Sequence, residues 1–237
     1  MSESNLDPYH GILNPFQIAA GLRAAKASAQ RLLDDARHLY DIRSYPSATA
    51  LGVLCIEEIG KLPVLRRMAL AKTAQEWRQC WRDFSNHLAK SAHWIVPFLL
   101  GKGHTFESFA ASFSRDKDPD VLNSLKQLGF YVGCYGRAHW SEPQAIIEKP
   151  QADLVLGSAE VVVLGSSPSE LDTPTAMQLW TDRMSGCFSC DAVTANNRVV
   201  AFLEHARGES IRLDGQGIPS SVAFEFMSTV LYISGNG

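Results

Sequence analysis

Cys55-Ile56-Glu57-Glu58-Ile59-Gly60-Lys61 lies in the middle of a predicted second helix, and its reading decides the fold. Leu51, Cys55, Leu62, Leu65 and Ala69 share one line at helical steps of three and four, the mark of a core-facing helix. Glu58 falls inside that line, where a carboxylate is costly unless something pairs with it. Glu57 is expected nearer the edge, one turn before Lys61 in the favourable order. Gly60 costs about 1 kcal/mol against alanine in a helix interior and suits close approach of another backbone. An acidic pair, a lysine and a glycine thus interrupt a packed seam.

Outward from this stretch, the flanking segments read as helices. Asn14-Pro15 is a helix start, and Ile18, Leu22, Ala25, Ala29, Leu32, Ala36 and Leu39 then repeat at steps of four and three. So regular a seam, rich in alanine, predicts a long helix packed against a near-antiparallel neighbour. Tyr45-Pro46 breaks the pattern, Ser47 helps cap the second helix, and that helix runs to about residue 72 with a bend at Pro63. Thr73 and Glu76 form a capping box for a third helix reaching Gly101, with Trp77, Trp81, Phe84, Leu88, Ile95 and Leu99 as its core line. Asp83, His87, Lys90 and Trp94 make a polar-edged stripe beside that line. Facing the second and third helices across their apolar lines brings Glu57, Glu58 and Lys61 near His87 and Lys90.

The later chain is less regular. A short helix is expected at 121–128 and a loop at 133–143. Residues 151–164 carry Val161-Val162-Val163, which favours a strand, but length and lack of alternation favour a helix. Helices are expected at 174–184 and 191–206, and 221–233 reads as helix or strand. The expectation is an all-α antiparallel bundle with added C-terminal helices and a short strand or turn region. Its divisions are a flexible N-terminus 1–13, a helical core 14–143, C-terminal helices 144–207 packed on the core, and an extension 208–237.

Composition narrows the function classes. The 237 residues are 46% apolar with a formal charge of −3, so any nucleic-acid contact must be a local patch. The first ten residues show no apolar signal core and no run reaches a membrane span, which leads us to expect a cytoplasmic protein with no membrane contact. Five unevenly spaced cysteines read as free thiols, Cys187-x-x-Cys190 included. No cofactor and no metal are expected, because a di-iron site needs a Glu-x-x-His on each of two helices. His10, His38 and His104 read as surface residues.

Tyr45-Pro46, the run from Ala48 to Lys61 ending Ile-Glu-Glu-Ile-Gly-Lys, Phe84-x-x-His87-x-x-Lys90, Tyr131-Val132 and the Trp140 to Pro143 loop together resemble the AbiV family of abortive-infection proteins, a branch of the HEPN superfamily. The resemblance implies a HEPN-like helical core, a homodimer, and a toxin-like role in blocking phage multiplication. It also implies an Arg-x4–6-His ribonuclease motif. Arg31/His38, Arg82/His87 and Arg198/His205 have that spacing. On one continuous helix Arg82 and His87 would point about 140° apart. Arg198 and His205 share a face, but a valine follows the arginine.

Two readings of Glu57, Glu58, Lys61, Arg82, His87 and Lys90 stand side by side. As a metal-independent ribonuclease, His87 takes the 2′-hydroxyl proton, Lys61, Lys90 or Arg82 holds the charge building on the phosphate, and Glu58 orients His87 or Lys61. As a polar network, the same residues fix helix register without chemistry. A non-catalytic helical dimer binding a phage protein, RNA or a nucleotide is the alternative function.

Overall fold

The computed structural model describes residues 7–86, 120–166, 169–207 and 220–234. Helix α1 (Pro15–Asp41) starts at a capping box in which the Asn14 side chain accepts from the Gln17 N–H and the Gln17 side chain accepts from the Asn14 N–H. Its buried line is Ile18, Leu22, Ala25, Ala29, Leu32 and Ala36, the expected seam. The alanines let α2 (Tyr45–Ile59) lie close and antiparallel after a short link with Arg43 at φ +62°. Ser47 falls inside α2 and caps nothing; Ser44 precedes the helix instead.

The second helix breaks at Gly60, three residues ahead of Pro63, and resumes as α3 (Lys61–Met68). Pro63 is still the cause. In a continuous helix its ring would collide with the carbonyl of Ile59 and it could not donate there. Proline at the third position of a new helix avoids both. Helix α4 (Ala74–Ser85) opens on the Thr73/Glu76 box as expected. It ends earlier than expected: Asn86 is extended, with ψ at 117°. The remainder of the predicted third helix, with His87, Lys90 and Trp94, lies outside the described residues, as does His104.

Helix α5 (Asp120–Phe130) leads into a small antiparallel hairpin, β1 (Gly133–Tyr135) with β2 (His139–Ser141), where only a loop was expected. Its turn uses Gly136 and Ala138, both at positive φ. A single turn α6 (Pro143–Ile146) precedes α7 (Lys149–Leu164), which settles the ambiguous valine-rich segment as helix. Ala152, Val155, Leu156, Ala159 and Val162 form its buried face, a 3.6-residue period hidden among flanking exposed valines and leucines. A 3₁₀ turn (Ser169–Asp172) then leads to α8 (Pro174–Arg183), α9 (Ala192–Arg207) and α10 (Ser220–Ser234), so the last ambiguous segment is also a helix.

Helix α2 occupies the centre, walled by α1, α5 and α7. Two glycines make this approach: a Cβ at Gly129 would come within 2.7 Å of the Pro46 carbonyl oxygen, and one at Gly52 within 2.9 Å of Val155. Helices α8, α9 and α10 close the far end around Trp180, Phe202 and Phe226, whose ring centroids lie 5.1–5.8 Å apart. Among the described residues, no helix is long and apolar enough to cross a membrane.

Candidate functional site

Glu57 and Glu58 exchange the roles expected of them. Glu57 is the buried one, 3% exposed, and pairs with the buried Lys126 of α5 at 2.5 Å. Glu58 stands half-open and pairs with Lys61 across the helix break, also at 2.5 Å. The reason is the all-round burial of α2: with neighbours on three sides, the edge of its apolar stripe is no longer an edge. Lys126 was the missed partner. It sits on the buried line Leu122, Lys126, Gly129, so a lysine in an apolar stripe was its sequence signal.

The Lys61 ammonium also lies 5.4 Å from the centroid of the Phe84 ring. The start of α3 therefore meets the last turn of α4, the part of the expected juxtaposition that the described residues contain. His87 and Lys90 follow just beyond Asn86, outside them. Arg82 is exposed on α4 and donates to Gln79 at 2.5 Å. Because α4 ends at Ser85, the angular objection to Arg82 and His87, which assumed one continuous helix, no longer applies. Asp83 is committed elsewhere: it accepts from the Tyr232 hydroxyl at 2.5 Å and from Gln79 at 3.0 Å, and faces the Arg67 guanidinium.

The other two Arg/His spacings are engaged separately. Arg31 pairs with Asp35 on the surface, while Arg198 donates to the Ser185 carbonyl and His205 lies 3.1 Å from Arg183. Cys187 and Cys190 are joined as a disulfide, contrary to the free thiols expected. Among the described residues, no group of three or more His, Cys, Asp or Glu could hold a metal ion.

Two further charge networks centre on the buried Arg66 and Arg67. Arg66 pairs with Glu225 at 2.6 Å and Asp172 at 3.1 Å, Lys26 pairs with the same two carboxylates, and the guanidinium stacks over Phe226 at 4.5 Å. Burial pushes the Asp172 carboxyl up, and the Glu225 charge adds to the rise against the pull of Arg66 and Lys26. Next door, Arg67 donates to the Phe188 carbonyl at 3.1 Å and lies over the Phe188 ring. The Arg66 network is closed to a substrate, whereas Arg67, Phe188 and Ser189 border a cleft of about 420 Å³. The partly exposed Glu58–Lys61 pair against Phe84, with Arg82 on the same helix as Phe84, is the accessible part of the residues expected to form the site.

An all-α bundle built on an alanine-seamed hairpin, with the acids at the end of α2 and the cation at the start of α3, is consistent with a HEPN-like fold. The sequence pattern of the AbiV family matches residues 17–164, and the chain belongs to that family. Membership points to abortive infection, that is, anti-phage defence. No curated protein and no solved structure matches the chain.

Proposed function

We propose that this chain blocks phage multiplication by metal-independent cleavage of RNA, as a cytoplasmic homodimer. The observation that supports it is the Glu58–Lys61 pair, held partly exposed at the helix break and packed on Phe84, which precedes His87 by three residues in the sequence. His87 is the base for the 2′-hydroxyl, and Lys61, Lys90 and Arg82 hold charge on the phosphate. Glu58 orients Lys61. Glu57, closed off by Lys126, serves the same site by holding α2 in register. Purified protein incubated with total RNA and a chelator should cut it, and His87→Ala should abolish cutting. Intact RNA, or cutting that survives His87→Ala, would remove this mechanism.

A binding role is the second reading, and the lysine partners of both carboxylates favour it, since neither acid is left as a free base. A stoichiometric phage protein recovered from infected cells with uncut RNA supports binding, whereas fresh RNA ends support cleavage. Light scattering checks the dimer: a mass of 26.0 kDa would exclude it.

A further inference from the structure

Helix α4 carries a second feature beside the Glu58–Lys61 edge. A cleft of about 550 Å³ opens along it, lined by His10, Arg78, Trp81, Arg82, Ser85 and Asn86. That volume falls in the range of small-molecule sites, about 300–1,000 Å³. Among the described residues two arginines and a histidine line it, and no carboxylate does. Arg78 and Arg82 stand one turn apart on the same exposed face, and Arg78 makes no ion pair among the described residues. Trp81, in the same cleft, is held in place: its indole N–H donates to the Gly11 carbonyl at 2.9 Å. Tyr9, His10 and Phe84 all meet the indole at steep angles, 83°, 68° and 77°, so none of these rings lies parallel on it. A fixed aromatic ring beside two cations, in a cleft whose described lining carries no acid, matches the chemistry of a flat base linked to a phosphate.

We propose that this cleft binds one nucleotide unit, with its base against Trp81 and its phosphate between the Arg78 and Arg82 guanidinium groups. Planar guanidinium forks suit phosphate oxygens, and every base presents a π-face to an indole, so the site is tolerant of sequence. The unit comes either from a single-stranded RNA or from a free nucleotide. The RNA source rests on the cleavage reading above and deepens it, because the cleft places a strand beside Arg82 and the α4 terminus.

The test is fluorescence anisotropy of the full chain with a labelled 2′-O-methyl oligouridine, which lacks the free 2′-hydroxyl and cannot be cut. Arg78→Ala, a change on an exposed position, should weaken binding about tenfold and reduce the salt dependence by about one phosphate contact. Trp81→Phe keeps a ring for the core contacts and should weaken binding by a smaller factor. Displacement by millimolar uridine monophosphate identifies the free nucleotide as a ligand; displacement by unlabelled oligomer alone identifies the strand. Equal binding by Arg78→Ala and the parent, no binding by the parent, or equal displacement by inorganic phosphate would overturn the proposal. Failure here is separable from failure of the cleavage mechanism. His87-dependent cutting with Arg78-independent binding sinks the cleft alone, and Arg78-dependent binding without cutting sinks the mechanism alone.

Discussion

Two adjacent glutamates meet opposite surroundings. Glu57→Gln leaves the Lys126 ammonium buried without its counter-charge, and breaking one side of such a pair costs about 3–5 kcal/mol. Glu58→Gln loses a half-solvated pair within one turn, worth about 1 kcal/mol or less. Urea midpoints should therefore fall steeply for the first and slightly for the second, while RNA cutting should fall for Glu58→Gln at nearly unchanged stability. Equal midpoints would contradict the burial difference. Ionisable groups in the core add a pH effect. Burial pushes the Cys55 and Cys80 thiols up to about 12 from 9.0. It also raises the Tyr232 hydroxyl above its usual 10.0, and Asp83 adds to that rise. Each folded-state value exceeds the unfolded one, so their stabilising contribution is complete below about pH 9 and is lost as pH climbs through and beyond that range. Urea midpoints should hold near pH 8 and fall by pH 10.5. Alkylation at neutral pH should label the exposed Cys134 and spare Cys55 and Cys80 until the chain unfolds.

At the level of elements, glycines separate close packing from mere flexibility. A Cβ at Gly129 would press on the Pro46 carbonyl, a backbone atom that cannot swing aside, so Gly129→Ala should cost about 1–3 kcal/mol. Gly157 lies on the exposed side of α7 with nothing within 4 Å of an added Cβ. Gly157→Ala should gain about 1 kcal/mol from helix propensity alone. Thermal melts of the two variants should shift in opposite directions. The break between α2 and α3 belongs to the same scale. Lys61, the first residue after it, pairs with Glu58 and lies over Phe84.

Across the molecule, Arg66 and Arg67 join its two ends. Both lie within the family-matched region 17–164, and their partners Asp172, Glu225, Phe188 and Tyr232 all lie beyond it. The C-terminal helices therefore complete the charge balance of the core. A chain ending at residue 207 loses Glu225, leaving Arg66 and Lys26 to share Asp172 within the core. It should fail to unfold cooperatively, and Glu225→Gln in the full chain should cost about 3–5 kcal/mol. A truncated chain that melts at the temperature of the full one would show that the ends are independent.

The starts of the first helices and of α8 were legible in the residues because their signals are local. The Asn14 and Thr73 boxes, the alanine seam and the Pro174 start each act within one or two turns. An acid paired with Lys61 about Gly60 was visible for the same reason, although the helical spacing pointed to Glu57 and the structure uses Glu58. What only the tertiary structure decided is which acid is buried. That depends on α5 and α7 covering α2 from directions its own periodicity does not encode, and on Lys126, 69 residues away. The Arg66 network and the Arg67–Phe188 contact were hidden likewise, since those partners lie more than 100 residues along the chain and a buried charge declares itself only once its neighbours have been folded against it.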